Sequence, residues 1–403
     1  MNGLSLPAMT WQGYVRREGP MGIRNKVLVI YTVECARFVA EKIAEATGHS
    51  QVECIGFSGC TDNQYAVDLL LALVRHPNVG AVLCVGLGCE YVQPERLAQA
   101  AEASGRPGRW FTIQEAGGTR PSIEKGCALV RELLVLLEHT PRAPMGWKDL
   151  IVGGECGGSD YTSGPAGNYL TGRFFDMLVD AGGTAIFEEI LEAVGLREEL
   201  SRRAADEKTR EELLRCYDKA MAYCRSVRQY SVSPGNFAGG LSTIEEKSMG
   251  AFIKSGSRPI QGVLKVSQRP AHSGLWLLDS TPDPTFMQYG ISNPNDSEGV
   301  TALLSCGCQL VCFITGRGNV IGSAVGPLLK ITGNGLTYRR MEEDMDVDAS
   351  PLLRGECSPE EMTLRLARTV YRLCAGDLSK SEALGHREYF IPYKYQDKPR
   401  CMQ

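Results

Sequence analysis

The run GGECGGSDYTSGPAGN, Gly153 to Asn168, follows the short apolar segment Leu150 to Val152 and precedes a helical stretch, so it reads as a strand-to-helix crossover. Glycine at this density costs backbone entropy and builds no core, so some close approach of the backbone has to require it. A plain surface turn needs two or three such residues, not a run of this length. Set into it are the Cys156 thiol, the Asp160 carboxylate, the hydroxyls of Ser159, Thr162 and Ser163, and the Asn168 amide. Backbone donors at a helix start, beside one soft and one hard ligand, suit an anionic substrate held on a metal ion.

Upstream, apolar strands alternate with amphipathic helices. KVLVIYTV, QVECIGF, GAVLCVGLG and a segment near RWFTI read as strands. CARFVAEKIAEAT, YAVDLLLALVRH, Pro94 to Ser104 and Ser122 to Glu138 read as helices. Strands spaced by helices imply a parallel, doubly wound sheet. The pattern breaks at the proline-rich loop HTPRAPMGW, residues 139–147, where a first domain closes. Downstream come a helix Leu170 to Asp180, the strand TAIF, and a charged helical stretch over 188–226. A second glycine-rich loop, SPGNFAGGLSTIEEKS, leads into a helix with the capping pair Ser242 and Glu245. The strands GLWLLD, QLVCFIT and PLLKIT follow, each ending in a polar or glycine-bearing turn. The tail beyond Asp346 is helical, then aromatic and basic, with no evident chemistry.

A formal net charge of −4 gives no electrostatic case for nucleic acid or an anionic membrane. No apolar run approaches a bilayer span and the start MNGLSLPAMTWQ lacks a secretory pattern, so a cytoplasmic protein is expected. Fifteen cysteines in such a chain are expected as buried thiols, metal ligands or reactive groups and not as a disulfide framework. The five histidines do not pair at metal-ligand spacing, which disfavours a histidine zinc site or a Cys-His nucleophile.

Three cysteines share one context. Cys60 (FSGC), Cys89 (GLGCE) and Cys156 (GGEC) each follow a strand end beside glycine. In a parallel sheet those loops lie on one edge, so the three thiols are candidate ligands of an iron or iron–sulfur centre, with Asp160 as a hard ligand. Each taken singly is equally a buried small residue. Cys306, Cys308 and Cys312 read as core. GLGCEY resembles the start of a dinucleotide fingerprint but lacks its third glycine and follows the third strand. In TGRG, Arg317 sits among flexible backbone donors, a suitable place for a carboxylate or for a surface turn. Lys247 and Lys330 are candidate proton-transfer groups or charge partners; Asp279 and Glu189 at strand ends are candidate ligands, bases or helix caps.

Taken together, GYVRREGPMGIRN, the GC turn at Cys60, NVGAVLCVGLGCE, IQEAGGT, GGECGGSDYTSG, SPGNFAGGLSTIEEKS, TGRG and DMDVDA resemble the altronate dehydratase / D-galactarate dehydratase family. The resemblance runs from Gly13 to about Tyr393. It implies an α/β chain with a Rossmann-like parallel-sheet domain over 13–145 and a larger α/β catalytic domain over 148–395. It also implies a hydro-lyase for sugar acids such as altronate or galactarate, dependent on a divalent metal, usually iron, with manganese as the alternative. Members often begin with a small SAF-type β domain; here that part is expected to be missing or to be supplied by a separate small SAF subunit, and a homo-oligomer is expected. Gly56 stands where members carry a histidine, and DSTPDP with an irregular stretch after it replaces an aspartate–threonine–proline–glycine turn.

The expected chemistry is a metal-assisted β-elimination giving a 2-keto-3-deoxy acid. Cys156, Cys60, Cys89 and Asp160 are the expected metal ligands, in a mononuclear or iron–sulfur centre. Arg317, Gly157, Gly158, Ser159, Ser163, Asn236, Gly239 and Gly240 would hold the carboxylates. Lys247 or Lys330, then Glu189, are the candidate bases. Three alternatives stand beside it: a sulfo-lyase acting on a sulfolactate-like substrate, a sugar-acid-binding subunit that needs a SAF partner, and an NAD-dependent oxidoreductase.

Overall fold

The computed structural model describes residues 5–227, 232–284 and 295–396. The first four residues and the irregular stretch after Pro284 therefore lie outside the described residues. The chain opens on β1 (Trp11–Tyr14) and then alternates strand and helix: β2 (Lys26–Tyr31), α1 (Glu34–Thr47), β3 (Val52–Gly56), α2 (Gln64–Val74), β4 (Val79–Gly86), α3 (Pro94–Ala103), β5 (Gly108–Thr112) and α4 (Thr119–Glu138). Local chemistry sets the boundaries. Asn63 accepts the Ala66 N–H to start α2, Pro94 opens α3, and Gly48 in the left-handed region (φ 62°) closes α1. Four of the strands form a parallel sheet in the order β3-β2-β4-β5. Every residue of β2 and β4 is buried, the pattern of strands covered by helices on both faces.

The proline-rich loop holds one element that its composition hides. Residues Arg142–Met145 form β6, which pairs antiparallel with β1 and ties the N-terminal segment to the start of the second region. β7 (Ile151–Cys156), α5 (Tyr169–Asp180), β8 (Thr184–Phe187), α6 (Arg197–Arg202), α7 (Glu207–Val227), α8 (Pro234–Ala238) and α9 (Ile244–Ile253) follow. The chain continues through β9 (Ile260–Lys265), β10 (Gly274–Asp279), α10 (Asp296–Ser305), β11 (Leu310–Ile314), β12 (Leu328–Thr332), α11 (Gly335–Arg340) and β13 (Val347–Asp348). β9 escaped the sequence reading because it is an edge strand with alternate residues buried, not a continuous apolar run. The α9 cap also sits one residue later than expected: Thr243 accepts the Glu246 N–H, while Ser242 bonds the Glu246 carboxylate.

Among the described residues the second sheet has seven strands in the order β13-β12-β11-β7-β8-β10-β9, all parallel. β7 comes first in the chain yet lies in the middle, with β8 on one side and β11 on the other. In such sheets the crevice outside the carboxyl ends at this reversal is where ligands bind. One apolar core joins the two sheets, running from Leu28 and Ile55 to Ile186, Trp276 and Phe313. Among the described residues no helix is long and apolar enough to cross a membrane.

Candidate functional site

Register places the chemistry. β7 pairs with β8 so that Gly154 faces Phe187, which brings Glu155 and Cys156 level with Glu188 and Glu189 just beyond that strand. On the other side Cys156 faces Ile314, the last residue of β11. Glu189 takes a left-handed backbone conformation (φ 78°), rare for a residue with a side chain and a mark of a functional turn. That turn points its carboxylate back at β7: Oε1 lies 3.2 Å from the Cys156 Sγ, and Oε2 accepts the Cys156 N–H at 3.2 Å. Lys254, one residue past α9 and only 1% exposed, sits 3.2 Å from the same sulfur and forms an ion pair with Glu189. Lys247, on α9, pairs with Glu192, whose Oε2 is buried without a hydrogen-bond partner.

Ligand atoms of Cys156, Glu189 and Glu192 all lie within 4.8 Å of one another, the one such donor group among the described residues. One thiolate and two carboxylates, with an orphaned oxygen on one of them, fit a borderline divalent ion such as iron or manganese. The same three side chains, together with Glu155, Glu188, Asp296 and Glu298, line a cavity of about 110 Å³. Burial pushes Glu188 up to about 7, drives Glu155 well above the carboxylate range, and raises Asp296. A larger groove of about 1060 Å³ runs along the free edge of β3 and shares Asn295 with the acidic cavity.

The structure rearranges the expected ligand set. Cys60 and Cys89 are exposed on the first sheet's loops, which meet where the Tyr91 N–H donates to the Cys60 carbonyl, and both lie outside the donor group at Cys156. They follow strands of a different sheet, so sharing a strand-end context did not bring them to one edge. Asp160 is consumed locally. Its Oδ1 accepts from the Thr162 N–H and hydroxyl at 2.8 and 2.6 Å, and its Oδ2 accepts from Asn334 at 2.8 Å. The carboxylates that meet Cys156 are those of Glu189, expected as a base, and Glu192.

The two glycine-rich loops and TGRG interlock. The Gly158 carbonyl accepts the Gly316 and Arg317 N–H groups, the Gly157 N–H donates to Ile314, and the Gly239 N–H to Gly235 and Asn236. The Gly240 N–H donates to Phe237, Asn236 Nδ2 to the Ser159 carbonyl, and the Ser163 hydroxyl accepts the Asp160 N–H. These donors shape the loops and are spent on one another. The Ser159 hydroxyl faces the Cys156 sulfur at 3.8 Å, and Arg317 is anchored through Nη1 to the Gly235 carbonyl. Burial pulls Lys247 down, but the ion pair with Glu192 outweighs it and leaves the amine above its ordinary value. Lys330 is fully buried with no partner on its amine, is lowered by burial, and does not line the cavity. Asp279 is bracketed by Lys219 and Lys265.

Several site residues carried no signal of their own. Glu155 lay in plain view inside the opening run, and Glu188 next to Glu189. Lys254, Asp296 and Lys394 come from a helix end, a helix start and the tail. That tail does carry chemistry, since Lys394 pairs with Glu298 and donates to the Ser280 carbonyl at 2.6 Å. In GLGCE, the Glu90 carboxylate accepts the N–H groups of Leu87, Gly88 and Cys89 at 2.8 to 3.0 Å and the Thr32 hydroxyl at 2.6 Å. Burial pushes Glu90 up, yet these donors hold it below the usual carboxylate value. The nest that would cradle a dinucleotide phosphate is filled by the chain's own carboxylate.

An α/β fold with two parallel sheets, and a thiol–carboxylate–lysine constellation at the carboxyl ends of the larger one, has the arrangement of an α/β enzyme. Residues 147–397 match the C-terminal domain of D-galactarate/altronate dehydratase, and residues 13–138 match the second domain of D-galactarate dehydratase/altronate hydrolase. The altronate dehydratase of Escherichia coli strain K12 is 33% identical, covering 94% of this chain and 77% of its own length. The altronate dehydratase of Bacillus subtilis strain 168 is 30% identical, over 95% of this chain and 77% of its own. The (2R)-sulfolactate sulfo-lyase subunit beta of Chromohalobacter salexigens is 31% identical, over 98% of this chain and 100% of its own. The chain belongs to the D-galactarate/altronate dehydratase family, and it is an enzyme of the carbon–oxygen lyase class.

Proposed function

We propose that this protein dehydrates a sugar acid of the altronate or galactarate kind to a 2-keto-3-deoxy acid by metal-assisted β-elimination. The observation that carries the reading is the convergence of Cys156, Glu189 and Glu192 with two lysine ammonium groups at the carboxyl ends of β7 and β8. Cys156 Sγ, Glu189 and Glu192 would hold a mononuclear iron or manganese ion, whose charge would stabilise the enolate formed on loss of the α-proton. A cluster held by several cysteines does not suit a set with one thiol. Lys254, with its ammonium beside the Cys156 sulfur, delivers a proton from Nζ to the departing β-hydroxyl. Lys247 would give its extra proton to solvent once Glu192 turns away from it, and the neutral Nζ amine would then accept the α-proton. The α C–H and β C–O bonds break, water leaves, and the enol tautomerises to the keto acid. Arg317 keeps N–H groups beyond Nη1 for a distal carboxylate.

A second reading, loss of sulfite from a sulfolactate-like acid, is favoured by one observation. The sulfo-lyase subunit matches this chain over its whole length, whereas the dehydratases leave part of theirs unmatched. The test incubates the full chain, loaded with iron or manganese, with aldonates, aldarates and sulfolactate, alone and with a separately expressed SAF-type domain. Keto acid without sulfite supports the dehydratase and sulfite the second reading. No product from any acid in either format rejects both.

A further inference from the structure

The acidic cavity, at about 110 Å³, is smaller than the roughly 300–1,000 Å³ of sites that hold small molecules, so a sugar acid reacting there has to extend out of it. A second pocket, of about 280 Å³, opens between the glycine-rich crossover and α9. Lys247 lines this pocket and not the cavity, whereas Glu192, its ion-pair partner, lines the cavity and not the pocket. The pair stands at the boundary of the two spaces. Ser159, whose hydroxyl faces the Cys156 sulfur, lines the pocket as well. A molecule that reacts beside Cys156 and presents its α-carbon to Lys247 therefore has this pocket in front of the rest of its chain.

The walls discriminate between kinds of chain end. One side is a turn of π-helix over Ser163–Asn168, a form concentrated at functional sites. Pro165, Leu241 and Ala251 give the pocket apolar surface. Asn168 is 1% exposed, and its Oδ1 has no hydrogen-bond partner among the described residues, so this wall residue keeps unspent bonding capacity. Charge in the walls is one-sided. The carboxylates of Asp160 and Glu246 line the pocket, and the cation opposite them, Lys247, is already paired. The Ser242 N–H and hydroxyl, both at 2.8 Å, hold Glu246 below the usual carboxylate value and so keep it charged. Arg317, placed above to meet a distal carboxylate, does not line the pocket, so a diacid would have to turn its far end elsewhere to use it. A second carboxylate entering the pocket would shed its hydration and face like charge. We propose that this pocket receives an uncharged, hydroxyl-bearing far end of the substrate, with Asn168 hydrogen-bonded to that hydroxyl, so that the protein selects acids with one carboxylate (aldonic acids) over diacids (aldaric acids). The preference rests on the elimination reading and narrows its substrate, but it is read by binding and does not depend on turnover.

The experiment measures binding to full-length, manganese-loaded protein by isothermal titration calorimetry. The probes are a 3-deoxyaldonate and the matching 3-deoxyaldarate, which have no β-hydroxyl to lose. Wild type is expected to bind the monoacid at least about tenfold more tightly than the diacid. Asn168→Leu is expected to weaken the monoacid about tenfold, with manganese stoichiometry and melting temperature unchanged. Glu246→Arg, at an exposed position, is expected to narrow the preference about threefold by tightening the diacid, and it carries the test should Asn168→Leu fail to fold. Diacid binding to wild type as tight as the monoacid, or tighter, overturns the preference. So does a preference unchanged in Glu246→Arg, or an unchanged monoacid affinity in folded Asn168→Leu. Wild type that binds neither probe also overturns it, and if that protein still forms keto acid from a sugar acid the proposed function stands. Monoacid-selective binding that Asn168→Leu weakens, in a protein that dehydrates no acid, supports the pocket while the elimination reading falls.

Discussion

Replacing Lys254 with methionine tests the electrostatic account of the site directly. The side chain is 1% exposed, contacts the Cys156 sulfur at 3.2 Å and pairs with Glu189, and its charge also lowers Glu155, Glu188 and Asp296. Methionine preserves length and packing, so the change is in charge more than in shape. Removing one partner of a buried ion pair costs about 3–5 kcal/mol, because the other charge stays behind uncompensated. The penalty carries a sign in pH. Without Lys254 the folded-state carboxyls take protons more readily than they do in the unfolded chain, whose carboxyls titrate near pH 4. Their raised values therefore cost stability fully at high pH, and the cost shrinks as pH falls and the cavity takes up protons. The expected result in metal-stripped protein is a loss of about 3 kcal/mol at pH 8 that narrows by about half at pH 6, measured by urea unfolding followed by tryptophan fluorescence. Saturating manganese at 100 times its dissociation constant should restore about 2.7 kcal/mol. A variant as stable as wild type at pH 8, or one whose deficit grows on acidification, refutes the reasoning.

Cys156→Ala should reduce bound iron and turnover together, each by about 100-fold or more given what loss of supporting groups alone does at metal sites; normal metal content and normal turnover, by metal analysis and keto-acid assay, would remove the thiol from the site. His76 is buried, accepts the Asn78 N–H at Nδ1 (3.0 Å) and donates from Nε2 to the Cys308 carbonyl (2.9 Å), and is lowered to about 3 by burial. Because it stays neutral when folded but charges near pH 6.5 when unfolded, wild-type stability should fall by about 1.4 kcal/mol per pH unit below that point, and His76→Gln should flatten the slope. Gly157→Ala places a methyl group against Asp296 at a position without positive φ, so turnover should fall with little change in melting temperature; an unchanged rate would mean that Asp296 is not needed where it lies.

Much of this protein was legible along the chain. The alternating strands and helices, the helix start at Pro94, and the crossover at Gly153–Asn168 are local or periodic features. Period and turn chemistry report them directly. The pairing of β6 with β1 and the edge strand β9 were not legible, because their partners are remote and their apolar content is slight. For the site, the sequence selected Cys156, Glu189 and Lys247 but attached to them Cys60, Cys89 and Asp160. Strand-end cysteines look alike in sequence whichever sheet they follow, and a carboxylate flanked by hydroxyls does not reveal that they will consume it.

The sequence by itself determined that the chain builds parallel α/β sheets and that chemistry gathers at the glycine-rich crossover, since both follow from spacing and residue type. Only the tertiary structure decided which residues meet there. Strand order puts β7 between β8 and β11, and their register sets Glu155 and Cys156 beside Glu188 and Glu189. Packing then brings the helix start at Asp296 into the cavity wall, and the helix end at Lys254 and the tail at Lys394 against carboxylates that line it. Contacts between residues 33 to 98 positions apart, such as Cys156 with Glu189 and with Lys254, are set by how sheets and helices stack, and no local pattern encodes them.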